Sequence, residues 1–285
     1  MTMTLKQLHS RGARLLKKSG VLDAQFDAWV LLEDIFCVSR ADVLANTQPQ
    51  PDAKAVARYL DACQRRSSGM PLQYILGHWE FMGLDFQVNS SVLIPRSDTE
   101  TLVEYIMENY SGRLNILDMC CGSGCIGLSV KHFLPDSKVT LCDISDSALL
   151  VAKHNAVTLN LDVKILKCDL MQDFRKYFYE NQFDIIVSNP PYIKSADMTS
   201  LQRELTYEPR IALDGGQDGM KYYNRLISGW QSALRPGGEM ILESGYDTQN
   251  DIYLMFLECE YSDVLKRRDI NGTVRLVAGK KGLGK

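Results

Sequence analysis

The 285-residue chain has 32 lysines and arginines against 35 aspartates and glutamates, a formal net charge of -3 at pH 7. This balance excludes an overall positive field that would draw the protein onto nucleic acid, although a local basic patch is compatible with it. Hydrophobic residues make up 45% of the chain, as in ordinary globular proteins, and no apolar run approaches the roughly 18 residues of a membrane helix. At about 150 residues per domain, the length predicts two domains.

Cysteine and histidine usage favours reduced thiols and no metal site. The chain has eight cysteines, and without a recognisable secretory leader we expect them to be free in a cytoplasmic protein. Cys120, Cys121 and Cys125 cluster, but no C-x-x-C pair occurs and the four histidines are scattered, so zinc spacing is absent. The first 22 residues are basic without any acid, which fits either an amphipathic helix, our preference, or an organelle transit peptide.

The N-terminal quarter has the apolar spacing of several short helices. From Leu5 to about Gly69 the hydrophobic residues recur at helix intervals. Ser39 and Pro51 are helix-start signals, and Gly69 is a stop signal. We therefore predict a small helical domain over residues 1–70.

The next segment changes character. In Leu72 to Ile94, the apolar runs Tyr74 to Leu76 and Phe86 to Val88 flank a turn residue, Gly83. This pattern predicts two strands of a β-hairpin. We place the hairpin as a linker over residues 71–95, before a second domain at 96–285.

The second domain alternates between strand and helix patterns. After a helix over Thr99 to Tyr110, the predicted strands are 115–119, 139–143, 163–168, 183–188 and 239–243, with a helix at about 220–234 before the last of them. Such alternation predicts an α/β fold with a mostly parallel sheet and helices on both faces. Asn271-Gly272 joins two further strands, 263–268 and 273–277, as a hairpin turn. An antiparallel final pair is unlike a plain dinucleotide-binding domain and like the seven-stranded Rossmann-like sheet of class I methyltransferases.

A glycine-rich loop follows the first strand of this domain. Gly122, Gly124 and Gly127 satisfy G-x-G-x-x-G, and Asp143 follows at the distance where an acid binds the ribose of NAD. The loop could bind either a dinucleotide such as NAD or S-adenosylmethionine, and Asp118 distinguishes the two. A carboxylate beside the loop repels a pyrophosphate but suits an ammonium group. S-adenosylmethionine has an ammonium and no phosphate, so we predict it as the cofactor.

Three acids at successive strand ends make up the predicted cofactor site, since ligands bind at the carboxyl ends of such strands. Asp118 would face the ammonium, Asp143 the ribose hydroxyls and Asp169 the adenine amino group, while Leu170 packs on the ring. Any one of these acids alone is more simply a helix cap or a solvated strand end. The predicted cofactor-binding residues are Asp118, Cys120, Cys121, Gly122, Ser123, Gly124, Asp143, Asp169, Leu170 and Asn189.

The tetrapeptide Asn189-Pro190-Pro191-Tyr192 directly follows the strand 183–188. The prolines by themselves would merely end a strand. An amide nitrogen is a poor nucleophile because amide resonance is worth about 18 to 20 kcal/mol. If the Asn189 side-chain oxygen and the Pro190 carbonyl each accept one N–H, they stabilise the charge that develops on that nitrogen.

We predict that all four residues of the tetrapeptide are catalytic, with Tyr192 as a wall for the planar group and no dedicated general base. The same loop would serve the exocyclic amine of adenine or guanine. A nucleic-acid methyltransferase, a non-catalytic cofactor-binding module and an NAD-dependent oxidoreductase therefore stay as alternatives.

With these motifs, the chain resembles the release factor glutamine methyltransferase family over essentially its whole length. Besides the loop after Asp118 and the tetrapeptide, the matching segments are 71–77, 92–96, 208–209, 212–216 and 218–219. The resemblance implies methylation of the glutamine in the Gly-Gly-Gln loop of class 1 peptide chain release factors, with the N-terminal domain helping to hold that partner. We expect a monomer, without a nucleic-acid substrate and without a membrane.

Overall fold

The computed structural model describes residues 3–45 and 50–283. The chain forms two compact units. One consists of Met1–His78 and Gln202–Tyr207, and the other consists of Trp79–Leu201 and Glu208–Lys285.

The first unit is helical, as the apolar spacing predicts. Its helices are α1 (Leu5–Lys18), α2 (Ala24–Phe36), α3 (Arg40–Ala45), α4 (Ala53–Ser67) and α5 (Leu72–Leu76). Two helices begin near their predicted start signals. Ser39 and Asp42 exchange hydrogen bonds at the start of α3, and Pro51 precedes Asp52, which caps α4 by accepting from Ala55 N at 3.2 Å. The core consists of fully buried side chains, among them Leu8, Leu16, Leu31, Leu32 and Tyr59.

The buried Arg66 side chain ties residues 202–207 into this unit through ion pairs with buried Asp27 and exposed Glu204. The Arg66 guanidinium donates to Asp27 at 2.6 Å and to Glu204 at 2.5 Å. Tyr207 also donates its hydroxyl to the carbonyl of Ser68 at 3.0 Å. The segment that follows the Asn189 tetrapeptide along the chain thus contributes to the helical unit.

The prediction of a strand at Tyr74–Leu76 is wrong. These residues belong to α5, where Ile75 N donates to Pro71 O at 3.3 Å and Gly77 N donates to Gln73 O at 2.8 Å. Pro71 supplies a carbonyl to the first turn, and Gly77 ends the helix at φ 85°. Three apolar residues in a row fit a short buried helix as well as a strand, so periodicity cannot distinguish the two.

The hairpin itself lies a few residues further along, as β1 (His78–Phe81) and β2 (Leu84–Gln87). Its turn is Met82-Gly83, and both residues have positive φ, at 53° and 74°. Two such residues match the right-handed twist of a two-residue hairpin. The helix α6 (Ser97–Asn109) follows.

The second unit contains the predicted seven-stranded sheet. Its strands are β3 (Asn115–Met119), β4 (Lys138–Asp143), β5 (Lys164–Lys167), β6 (Phe183–Ser188), β7 (Leu234–Glu243), β8 (Tyr261–Arg268) and β9 (Val274–Lys281), in the order β5-β4-β3-β6-β7-β9-β8. The pairs from β5 to β7 are parallel, and β9 runs antiparallel to both β7 and β8. The Asn-Gly turn lies between β8 and β9 with Gly272 at φ 82°. The prediction of a mostly parallel sheet with an antiparallel end is confirmed.

The element before β7 is shorter than predicted. The helix α9 (Lys221–Gly229) ends five residues early, a 3-10 turn covers Gln231–Ala233, and β7 already begins at Leu234. Leu234 pairs with Phe183, and the register shifts before the next pair. The Pro-Gly-Gly sequence lies at this irregularity within β7. The pairing of Leu234 with β6 therefore overrides the local helix pattern.

Helices cover both faces of the sheet, and alternate strand residues face opposite layers. Ile116 and Ile185 pack in a cluster that includes residues of α6, α7 (Cys125–Phe133) and α8 (Asp146–Thr158). Their neighbours Leu117 and Ile186 pack in the opposite cluster, with residues of α9 and α10 (Gln249–Glu258). Within the described ranges, no helix combines the length and apolarity needed to cross a bilayer.

Candidate active site

A cavity of about 260 Å³ lies at the carboxyl ends of the central parallel strands. The chain runs from β3 outward to β4 and β5 and then returns to β6 on the other side of β3. This reversal of strand order is the position where α/β sheets bind ligands. The predicted residues that line the cavity are Cys120, Cys121, Gly122, Ser123, Asp143, Asp169, Leu170, Asn189 and Pro191.

Backbone geometry explains the glycine-rich loop after β3. Gly122 and Gly124 have φ angles of 54° and 81°, in the left-handed region that favours glycine. Gly127 is needed for a different reason, because a Cβ there would lie 2.4 Å from Leu141 Cδ2 and 2.9 Å from Asp118 Oδ2. The loop turns at the first two glycines, and the third lets α7 approach the sheet closely.

Two predicted cofactor-binding residues, Gly124 and Asp118, do not line the cavity. Asp118 is fully buried beneath the glycine-rich loop. Its Oδ2 accepts from Gly127 N at 2.8 Å, whereas Oδ1 has no hydrogen-bond partner among the described residues. Burial raises the pKa of this carboxyl to about 7, against the lowering effect of the Gly127 N–H, and the nearby Asp143 adds to the rise. A buried carboxylate oxygen without a partner is suited to a cationic group from a ligand.

Asp143 and Asp169 lie at the ends of β4 and β5 and both line the cavity. The Asp143 carboxylate accepts from Gly122 N and Ser145 N, each at 2.9 Å, and burial raises its pKa while these hydrogen bonds oppose the rise. Asp169 Oδ1 accepts from Met171 N at 2.9 Å. Their remaining acceptor capacity faces a cavity that can take hydroxyl and amino donors.

An apolar surface lies beside these acids. Leu170 is buried, and its carbonyl accepts from the indole nitrogen of Trp230 at 3.0 Å. Ile144 also lines the cavity. An unpaired buried carboxylate oxygen, two acids and an apolar wall fit the ammonium, ribose and adenine of S-adenosylmethionine.

The Asn189 tetrapeptide starts where β6 ends. Ser188, the last residue of β6, pairs with Met119 of β3, and its hydroxyl donates to the Met119 carbonyl at 2.6 Å. This pairing brings Asn189 to the same edge as the glycine-rich loop. Its Nδ2 donates to Thr99 Oγ1 at 3.3 Å.

The rest of the tetrapeptide is fixed by the chain around Gly215. Ile193 N donates to Leu213 O at 2.9 Å, and Gly215 N donates to Ile193 O at 2.7 Å. A Cβ on Gly215 would lie only 2.6 Å from Tyr192 Cα. Pro190 and Tyr192 lie outside the cavity lining, and the Tyr192 ring packs over Gly245.

Sequence reasoning missed one side of the cavity. Thr99 and Arg96 line it, and Glu208 supports this segment by accepting from Ile94 N at 3.0 Å and from the Arg96 guanidinium. Glu208 is buried although it is charged. The segments 92–96 and 208–209 both match the family's motifs. Their contact through Glu208 joins residues more than 100 positions apart, so the sequence alone did not show that they form one side of the cavity.

Comparison with known proteins identifies the family. The Methyltransferase small domain model matches residues 96–218, and the PrmC N-terminal domain model matches residues 7–77. A release factor glutamine methyltransferase of Moorella thermoacetica is 41% identical over 247 residues, covering 86% of this chain and 87% of the relative. One of Clostridium botulinum is 36% identical over 284 residues, covering 98% and 100%.

The fold has a counterpart among solved structures. A methyltransferase from Pyrococcus furiosus superimposes with a TM-score of 0.54 at 19% identity, covering 81% of this chain and 100% of that chain. At this identity the likeness concerns the fold alone, whereas the two relatives are similar in sequence along nearly their full length. This chain belongs to the release factor glutamine methyltransferase family.

Proposed function

We propose that this enzyme transfers a methyl group from S-adenosylmethionine to the side-chain amide nitrogen of a glutamine, the one in the Gly-Gly-Gln loop of class 1 peptide chain release factors. One observation carries the proposal: Asn189, which can recognise an amide, shares a single cavity with Asp143 and Asp169. The two relatives are release factor glutamine methyltransferases, which supports the same substrate.

The acids at the strand ends hold the cofactor. Asp118 Oδ1 would accept from the ammonium, Asp143 from the ribose hydroxyls, and Asp169 from the adenine amino group. When bound, S-adenosylmethionine supplies an electrophilic methyl group on a sulfonium. Asp118 favours the cationic end because a buried unpaired oxygen gains a hydrogen bond there.

Asn189 and Pro190 activate the substrate. The Asn189 side-chain oxygen and the Pro190 carbonyl each accept one N–H of the glutamine amide, which holds its nitrogen towards the methyl group. These fixed dipoles are aimed at positive charge that develops during transfer. Alignment of the reacting atoms supplies about 7 to 11 kcal/mol more, as in other well-oriented reactions.

No side chain is assigned as a general base. The nitrogen becomes strongly acidic once methylated, so its proton passes to water. Tyr192 contributes by fixing the loop, since its ring packs over Gly245 and its backbone is held against Gly215.

The setting of the reaction belongs to the same proposal. The protein acts as a monomer in the cytoplasm, on a protein substrate that the helical unit helps to hold and not on nucleic acid. A net charge of -3 supports a protein substrate. The eight free cysteines support a reducing compartment.

Transfer of labelled methyl to a purified class 1 release factor tests the substrate. Total RNA and a release factor with its loop glutamine changed to alanine are assayed in parallel. We expect label on the unmodified factor and none on the variant. Label on RNA alone would replace the proposal by nucleic-acid methylation. Label that persists on the variant would exclude the loop glutamine as the methylated residue.

The role of Asn189 is tested by Asn189→Ala. We expect turnover to fall by roughly 100-fold to 1,000-fold, as when one pre-aimed polar group is removed from an active site, while cofactor binding stays nearly intact. Asn115→Ala is the matched control, because this exposed asparagine begins β3 at the opposite end of the sheet. Equal turnover in Asn189→Ala and Asn115→Ala would remove the mechanism.

A further inference from the structure

Two buried side chains lie behind Asn189, and neither is part of the mechanism above. Thr99, in the first turn of α6, is 2% exposed, and Glu243, the last residue of β7, is also 2% exposed. The strands β6 and β7 pair in parallel with Ser188 opposite Leu242. The next residue of each strand, Asn189 and Glu243, therefore leaves the sheet edge side by side.

A chain of hydrogen bonds connects the three side chains. Asn189 Nδ2 donates to Thr99 Oγ1 at 3.3 Å, and the Glu243 carboxyl lies close enough to the Thr99 side chain for hydrogen bonding to lower its pKa. A threonine hydroxyl has one proton to donate and lone pairs that accept. A carboxylate can only accept, so the Thr99 proton goes to Glu243 and Thr99 can serve Asn189 only as an acceptor.

This chain has a consequence for the orientation of the Asn189 amide. An asparagine amide can rotate by a half turn, which exchanges its donor and acceptor ends. With Thr99 able only to accept, the NH2 end is held towards Thr99 and the oxygen end is directed away from it. The mechanism requires that oxygen to accept an N–H of the substrate, so a rotated amide would present the wrong end.

We propose that Thr99 and Glu243 are positioning residues that hold the Asn189 side-chain oxygen towards the substrate amide. The inference rests on the proposed role of Asn189 and adds to it two residues that do not themselves bind the reacting nitrogen. Glu243 acts through Thr99, and Thr99 acts through Asn189.

The surroundings of Glu243 are compatible with this role. Its Oε2 has no hydrogen-bond partner among the described residues. Burial raises the pKa of Glu243 to about 7, the Thr99 hydrogen bond and the charges of Arg275 and Arg96 oppose the rise, and Asp98 adds to it. Kinetic tests are therefore best made near pH 8, where the carboxylate form that orders the chain is the main one.

Thr99→Val and Thr99→Ser form a matched pair. Valine keeps the shape of threonine without the hydroxyl, and serine keeps the hydroxyl. We expect Thr99→Val to lower kcat on the release factor by about tenfold, the effect of one lost hydrogen bond, while cofactor affinity changes by less than about threefold. Thr99→Ser should restore most of kcat. Wild-type kcat in Thr99→Val, or an equal loss in both variants, would overturn the proposal.

Two further comparisons separate positioning from packing. In an Asn189→Ala background, Thr99→Val should have little additional effect on kcat, because its target is already missing; a full additional loss would contradict the proposal. If Thr99→Val does not fold, Glu243→Gln replaces it. Its amide can donate to Thr99 as well as accept, so kcat should fall, and wild-type kcat would refute the role of Glu243.

A spectroscopic readout does not depend on the substrate. In 1H–15N spectra, the Asn189 side-chain NH2 pair is assigned by its absence in Asn189→Ala. Its shifts should change in Thr99→Val and stay close to wild type in Thr99→Ser; unchanged shifts in Thr99→Val would refute the hydrogen bond. A wild-type enzyme inactive on release factors would refute the proposed function alone, and these spectra would still decide the orientation of Asn189.

Discussion

Asp118→Asn should make the cofactor-free protein lose less stability than wild type as pH rises from 5.5 to 8, while weakening its affinity for the cofactor. Asparagine has nearly the same shape, and its side-chain oxygen can still accept from Gly127 N, as Asp118 Oδ2 does at 2.8 Å. The variant differs mainly in carrying no charge. The substitution therefore isolates what it costs to keep a buried carboxylate at this position.

The magnitude follows from the pKa of Asp118, which burial raises from 3.8 to about 7. A carboxyl with a raised pKa binds more protons in the folded than in the unfolded chain between these values, so its contribution to stability is lost as pH rises through about 7. Between pH 5.5 and pH 8 the loss is about 2 kcal/mol. The asparagine side chain of the variant cannot titrate, so the variant should gain about 2 kcal/mol relative to wild type over this interval.

Groups that do not interact with Asp118 contribute equally to the stability of both proteins. Glu243 also has a pKa raised to about 7, but it is present in both proteins and its contribution cancels. The new NH2 group lacks a partner and costs about 1 to 3 kcal/mol, but at both pH values alike. The difference between the two pH values is therefore the quantity to measure.

Cofactor binding should change in the opposite direction. A hydrogen bond between charged groups contributes about 1.5 to 3 kcal/mol, so its loss corresponds to roughly 10-fold to 150-fold weaker binding. Urea denaturation of the cofactor-free proteins at pH 5.5 and pH 8 gives the stabilities, and titration calorimetry gives the affinity. Asp136→Asn, at an exposed acid, is the control.

Two results would contradict these roles of Asp118. If Asp118→Asn and wild type lose stability equally between the two pH values, Asp118 does not titrate near neutral pH. If the variant binds S-adenosylmethionine as tightly as wild type, Asp118 is not the partner of the ammonium group.

Two further substitutions test the scaffold of each unit. Gly215→Ala would place a Cβ 2.6 Å from Tyr192 Cα. Because backbone atoms cannot rotate away as a side chain can, we expect turnover to fall at least about tenfold with nearly unchanged cofactor affinity. Wild-type turnover would show that the loop tolerates displacement. Arg66→Met leaves Asp27 buried without its 2.6 Å partner and should lower the free energy of unfolding by about 3 to 5 kcal/mol. Urea denaturation against the exposed control Arg65→Met measures the effect, and equal stabilities would contradict it.

Local sequence determined the elements of the sheet with little error. β3 and β6 lie at their predicted residues, β4 begins one residue earlier than predicted, and β5 is one residue shorter at each end. These strands are short apolar runs between clear turn signals, and parallel strands covered on both faces require such runs. The largest errors occurred where the local pattern was ambiguous, at Tyr74–Leu76 and before β7, while β8 and β9 are both longer than predicted.

The identity of most cavity residues also followed from the sequence. Strand ends in a parallel sheet meet at one edge, so Asp143, Asp169 and Asn189 could be expected near one another before any contact was known. The spacing of the glycine-rich loop likewise identified the turn and the close approach of α7. Local sequence and the topology implied by the strand and helix pattern are enough to place these residues.

Only the tertiary structure decided which atoms are buried and which have partners. Asp118 proved to lie beneath the loop with one oxygen unpaired, and Pro190 and Tyr192 lie outside the cavity lining. The contact of Asn189 with Thr99 joins residues 90 positions apart. Such contacts depend on strand register and helix packing, which no local pattern encodes. The sequence by itself therefore determined the fold, the family and most of the cavity, while the hydrogen bonds and burial that set its chemistry required the folded chain.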